Sequence, residues 1–291
     1  MSPAGRSVLS TFAVTSLLAV GAGCLVTALA GAGPGVWIRN VAAWAIGAVL
    51  AQIVARIRRS RLFGAVLLLT PLALLISLLN SGLSGVHRWI SLGPLHWNVA
   101  FLLLPAAIVA FAALSHSESR WMWWAALVIA LELCLQPDAS QATAFSVAMI
   151  VTLVVTPSRG QIRVTASLLL VLAAGIAWTR PDPLKPVPEV EGIIGLARTF
   201  SVAIASLCVT TLLAVSASPL LALRDADRRW PIALSAYFFG CTCMPLFGTF
   251  PVPLVGMGMS PIIGFWIGIG ALTAACDSVA VPPAHVGQRS S

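Results

Sequence analysis

Apolar residues run along this chain in long blocks that carry few charges. The blocks fall at roughly 8–31, 36–55, 62–80, 98–115, 121–136, 140–156, 162–178, 193–216, 230–248 and 252–275. Roughly 20 apolar residues are what a helix needs to cross hydrocarbon. Lipid offers an unpaired backbone amide no partner, so each block is expected to be helical. The pattern predicts an all-α, polytopic membrane bundle of about ten transmembrane helices, a single domain over residues 1–291 with no stretch left for a soluble one. The first block is too long for a signal-peptide core, and no A-x-A site with a polar mature chain follows it. It is read as helix one.

Composition agrees with this reading: 59% of residues are hydrophobic and 9% charged, and the mean hydropathy is +0.97. With the N-terminus placed in the cytoplasm, the inner side carries Arg6, Arg56, Arg58, Arg59, Arg61, Arg120, Arg159, Arg163, Arg224, Arg228, Arg229 and Arg289, and the outer side only Arg39, Arg88, Arg180 and Lys185. That asymmetry predicts cytoplasmic termini at both ends. The net charge of +8 is therefore assigned to topology and anionic lipid, and nucleic-acid binding is set aside. Of the six cysteines, only Cys241 and Cys243 are close in sequence. One such pair without His or carboxylate neighbours is a poor metal site, and packing describes the cysteines better.

Polar chemistry is confined to a few places. "GVHRWISLGPLHW", residues 85–97, lies in the outer loop between spans three and four and concentrates Arg88, two histidines and the tryptophans Trp89 and Trp97. These groups suit either an active-site rim or an interfacial turn with belt tryptophans. The outer loop at residues 179–192, "TRPDPLKPVPEVEG", holds Asp182, Lys185, Glu189 and Glu191 among four prolines. Prolines this dense exclude a regular helix and stiffen the segment. Asp182 is either a held functional group or a turn aspartate, and Glu189 and Glu191 are expected to cap span eight. At the joint of spans five and six stand Gln136, Pro137 and Asp138, the last a helix cap or a functional carboxylate. Glu132, inside span five, is costly unless paired or facing a polar cavity. Arg198 in span eight is its expected partner.

Four stretches in this order resemble one family, the SEDS proteins (shape, elongation, division and sporulation), the FtsW, RodA and SpoVE group. The first is Gly85 followed by Arg88-Trp89-Ile90 and Leu92-Gly93-Pro94, and the second is Gln136-Pro137-Asp138 with Ala142. The third is Asp182 ahead of "EVEGIIG", Glu189 to Gly195, and the fourth is "GTFPVPLVGMGMS", Gly248 to Ser260. The chain departs from the family where it usually reads QPSE-x-x-K: here stand Asn98, Val99, Ala100, Phe101 and, at the Lys position, Leu104. It resembles a compact, divergent member.

The resemblance implies a peptidoglycan glycosyltransferase of the bacterial inner membrane that polymerises lipid II, an undecaprenyl-pyrophosphate-linked sugar, in division, elongation or sporulation. It implies Asp182 as the catalytic base, with Arg88, Trp89, Lys185, Gln136 and Asp138 around the substrate. It also implies charge stabilisation of the departing pyrophosphate by cations or a divalent metal, and a single-pass transpeptidase or other divisome or elongasome membrane protein as partner. Two other readings stand beside it: a lipid flippase or transporter using Glu132 and Arg198, and a catalytically inactive membrane scaffold of the cell-wall machinery.

Overall fold

The computed structural model describes residues 1–279 apart from 81, 94, 116–120, 158–159, 181 and 225. Arg120, Arg159 and Arg289 of the basic tally, and Ser81, Pro94 and Pro181 of the two loops, lie outside the described residues. The helices are α1 (Pro3–Leu29), α2 (Pro34–Ala55), α3 (Arg59–Leu79), α4 (Val99–Leu114), α5 (Trp121–Leu135), α6 (Ala139–Val155), α7 (Gly160–Thr179), α8 (Ile193–Phe200), α9 (Val202–Ala217), α10 (Arg229–Cys243) and α11 (Met259–Val279). By length and composition six segments among the described residues can cross a membrane: Pro3–Leu29, Pro34–Ala55, Arg61–Leu79, Gly160–Thr179, Val202–Arg224 and Met259–Asp277. Shorter apolar helices fill Val99–Leu114, Trp123–Leu135 and Ala139–Val155. The protein is a multi-pass membrane protein; a count of ten crossings goes beyond what these lengths give.

Two details correct the sequence reading. The fold is not wholly helical, because Trp89–Leu92 (β1) and Leu95–Asn98 (β2) form an antiparallel hairpin, with Trp89 opposite Asn98 and Ser91 opposite His96. Gly93, at φ 60°, opens its two-residue turn, where only a positive φ matches the strand twist. The other detail is span eight, which is interrupted. Ser201, at φ −165° and ψ 139°, ends α8 and caps α9 through its own side chain on the Ala203 amide.

α11 is the hub of the bundle and packs on α2 and α4. Its small residues allow this: a Cβ on Gly264 would lie 1.8 Å from the Phe101 carbonyl oxygen, and one on Gly268 2.6 Å from the Pro105 side chain. Close backbone approach of this kind replaces the hydrophobic drive that lipid does not supply between helices. A stack of Phe238 on Phe265 at 3.9 Å, with Phe12 edge-on to Trp266, fills the space among α1, α10 and α11.

Contacts sort the helix ends onto two faces. On one, here called the arginine face, Met1 meets Asp277, and Arg59 at the start of α3 reaches the Ala113 carbonyl near the end of α4 and the Trp230 ring at the start of α10. On the other, the loop face, Asn40 near the start of α2 holds Gly256 and Gly258, and the Asn98 amide meets Ser260 near the start of α11.

Candidate functional site

The loop face is organised by Arg88. It precedes β1, and the hairpin that carries it is docked at both ends. The Arg88 carbonyl accepts from the Val99 amide. The Asn98 side chain accepts from the Phe101 amide and so caps α4, while its own amide donates to Ser260 Oγ. Arg88 is thereby carried inward to 5% exposure, a depth at which a cation needs partners.

Those partners come from the other two polar stretches. Arg88 Nη2 lies 2.8 Å from Asp182 Oδ2 and also donates to the Pro137 carbonyl. Arg88 Nε stands 3.5 Å from Asp138 Oδ2, an ion-pair separation too long and poorly aligned for a hydrogen bond. One guanidinium therefore ties its own loop to two segments that begin 49 and 94 positions further along the chain.

Asp138 does two things at once. Its Oδ1 accepts from the Gln141 amide and the Ser140 hydroxyl, capping α6, while its Oδ2 faces Arg88. The cap and the ion pair use different oxygens of the one carboxylate. Asp182 is likewise both a turn residue and an ion-pair partner: Oδ1 accepts from the Leu184 amide, an Asx-type turn, and Oδ2 takes Arg88. Its side chain keeps 26% exposure against 3% for Asp138. Of the two carboxylates, only Asp182 is open to an incoming molecule.

Beside this centre is a cleft of about 460 Å³ lined by Arg88, Trp89, Asp138, Asp182, Lys185 and Glu191, with His96 and Asn98 at the hairpin side. The strap from Val187 to Glu191 forms one wall. It is held by the Met257 amide on the Glu189 carbonyl and the Val252 amide on the Val190 carbonyl. Gly256 is required beneath it, because a Cβ there would stand 2.6 Å from the Val190 carbonyl oxygen.

The glutamates do not cap the following helix. Gly192 is the N-cap of α8 and makes no side-chain cap bond; Glu191 instead turns back and accepts from the Val187 amide at 2.7 Å. Burial pushes the Glu191 carboxyl above its ordinary value. Backbone hydrogen bonds and the Arg88 charge oppose that rise, and the nearby Asp182 charge adds to it.

The remaining sequence candidates fall elsewhere. Gln136 is fully buried, away from the cleft, and donates to Ser77 Oγ at 2.6 Å and to the Leu74 carbonyl, which fastens the end of α5 to α3. Glu132, one turn from the end of α5, is buried at 7% with its Oε2 unpartnered. Arg198 is exposed in the last turn of the short α8. It forms no ion pair with Glu132 among the described residues; α8 packs on α9 and α1, whereas α5 packs on α3 and α7. His87 and His96 serve the loop itself, through Asn80 and Ser91.

Three groups were not singled out in the sequence as parts of the site: Asn40, Ser260 and the Tyr237–Gln141 pair. Tyr237, the single tyrosine, donates to Gln141 Oε1 at 2.6 Å in the core just behind the Asp138 cap. A lone polar residue in an apolar block is the signal that could have found them.

A divalent cation does not find a ready protein cage here. Among the described residues no three His, Cys, Asp or Glu side chains converge, and Asp138 is committed to Arg88 and to its helix.

No protein-family model and no curated protein match this chain. Solved structures do. RodA of Thermus thermophilus, a rod shape determining protein, is similar at 19% identity and a TM-score of 0.59, over 93% of this chain and 97% of that one. A chain from a peptidoglycan synthase complex, whose structure concerns the coordination of polymerization and crosslinking, is similar at 20% identity and a TM-score of 0.65, over 93% and 98%. At these identities the likeness is one of fold: the chain has a RodA-like, SEDS-like fold.

Proposed function

We propose that this protein is a SEDS-type glycosyltransferase of the bacterial inner membrane that polymerises lipid II into glycan strands. The observation that carries the reading is the Arg88 bridge: in a RodA-like fold, the three polar stretches that resemble SEDS motifs converge on one guanidinium beside an open carboxylate.

In this mechanism the sugars enter the cleft from the loop face while the polyprenyl chains stay in lipid. Asp182 accepts the proton of the acceptor's 4-hydroxyl as that oxygen bonds to the donor's anomeric carbon. The bond from that carbon to the phosphate oxygen breaks, and undecaprenyl pyrophosphate leaves with the electron pair. Arg88 is a positioning residue, since it is buried and its Nη2 is taken by Asp182 and the Pro137 carbonyl. Lys185, exposed at the cleft, is the cation with free donors for the pyrophosphate. Trp89 lines the same cleft and offers a face to a sugar ring. A single-pass transpeptidase is the natural partner, because a glycan strand must be crosslinked as it emerges.

Polymer formation from labelled lipid II in proteoliposomes, beside Asp182→Asn, tests the reading. The expected result is a loss of about 10²–10⁴-fold in a protein that still folds. Absence of polymer from the folded parent protein overturns it. One observation keeps the transport reading in view, the buried Glu132 with an unpartnered oxygen. Under the polymerase reading Glu132→Gln retains polymer formation, and under the transport reading it abolishes lipid movement.

A further inference from the structure

The arginine face carries a cavity that the reaction above does not use. It measures about 530 Å³ and is bounded by Arg56, Arg58 and Arg59 from the α2–α3 connection, by Met1, and by Ala274 and Asp277 near the end of α11. The single acid among these is already neutralised: Asp277 faces the Met1 ammonium at 3.8 Å and accepts from the Ser2 amide at 2.6 Å. Arg59 is anchored in the wall by the Ala113 carbonyl and by the Trp230 ring, 4.7 Å away. Arg56 and Arg58 are exposed, and no carboxylate among the described residues pairs with either.

A positive-inside bias accounts for the number of arginines on this face, and it is silent on their arrangement. Three basic residues gather where a helix disfavours them. Arg58 is the N-cap of α3, without a side-chain cap bond, and Arg59 and Arg61 occupy its first turn, which has no acid. The Asp227 charge acts on Arg59, whereas the exposed Arg58 meets the positive end of the helix dipole with no acid in the first turn of α3. Ile57 lines the cavity, and Ile53, Val49 and Ile46 of α2 continue from it as outward apolar side chains, the four between 40% and 59% exposed.

We propose that this cavity binds the phosphate head of an anionic glycerophospholipid, with an acyl chain laid along the α2 column. The phosphate sits beside the wall formed by Arg59 and supplies a negative charge to the exposed Arg56 and Arg58. The apolar column selects a lipid over a free phosphate ion, because the two features are contiguous and an ion uses only one of them.

The test is the thermal stability of the full-length protein in neutral detergent, titrated in parallel with phosphatidylglycerol, phosphatidylcholine and sodium phosphate. Phosphatidylglycerol is expected to stabilise at concentrations about tenfold lower than phosphatidylcholine, and sodium phosphate to have no comparable effect. Arg56→Gln with Arg58→Gln removes the preference, whereas the charge-matched pair Arg163→Gln with Arg224→Gln, neither of which lines the cavity, keeps it. Arg58→Asp is the decisive second variant. It places an acidic cap on α3, so it folds at least as stably without lipid, yet it loses the phosphatidylglycerol response. An equal response to both lipids, a response shared by sodium phosphate, or loss in the control pair overturns the proposal.

Discussion

Two arginine sites, one residue on the loop face and a cluster on the arginine face, lie at opposite ends of this bundle, and they are built on opposite principles. On the loop face Arg88 is 5% exposed and is met by two carboxylates and a carbonyl. On the arginine face Arg56 and Arg58 stand exposed around a cavity whose only acid is taken by the N-terminus. A charge drawn out of water must be matched within the protein. A charge left at the headgroup level can be matched by the membrane. The comparison teaches that burial, more than face or residue type, decides whether an arginine belongs to the fold or to a ligand.

Breaking the buried centre should give the largest effect. Arg88→Leu leaves Asp138 buried without its cation and is expected to cost about 3–5 kcal/mol, read as a fall in thermal stability together with loss of polymer formation. Arg58→Gln, on the exposed cluster, should change stability by less than about 0.5 kcal/mol. Adding Asp138→Asn to Arg88→Leu should restore part of the loss, which a simple sum of two damaging changes would not.

Arg229 sharpens the same contrast within one face. It is on the arginine side yet 4% exposed, and it is paired with Asp227 through Nε at 2.7 Å and through Nη2. If burial is the rule, Arg229→Gln should behave like Arg88→Leu in kind, with a loss of about 1–3 kcal/mol, and a loss no larger than that of Arg58→Gln would break the comparison. Lys185→Gln comes next. Its exposed ammonium has no structural load, so thermal stability should hold while kcat/KM for lipid II falls about tenfold, roughly 1.4 kcal/mol of transition-state stabilisation.

Glu191 gives the smallest effect. Because burial raises its carboxyl in the folded protein, the native state binds more protons than the unfolded chain at pH values between the ordinary and the raised values. Stability from this group therefore falls as pH rises through that window and returns as pH falls. In a thermal scan from pH 4.5 to 7, the parent protein should lose a degree or two relative to Glu191→Gln at the upper end. Parallel curves for the two proteins would remove Glu191 from the account.

Much of the site was legible as segments and little of it as contacts. The hairpin stretch, the Gln136-Pro137-Asp138 joint and the proline-rich strap each stood out because polar residues are expensive in so apolar a chain. The depth of Arg88 was not readable, since it depends on Asn98 and Ser260 docking the hairpin onto α4 and α11. Gln136 was placed with the substrate by its motif, yet packing turned it toward Ser77. The expected pairing of Glu132 with Arg198 failed for a similar reason: the break at Ser201 makes α8 a short surface helix and leaves Arg198 exposed at its end.

The sequence by itself determined that the chain is a helical membrane protein, where its apolar segments lie, and which face holds the excess of arginine. Those are consequences of composition and of a backbone that must satisfy its own hydrogen bonds in lipid. Tertiary structure alone decided that one guanidinium would join Asp138 and Asp182, and that Arg56 and Arg58 would find no carboxylate among the described residues. Hydropathy is a sum over neighbours in the chain, whereas a charge is stabilised by whatever lies within a few ångströms in space, and only packing says what that is.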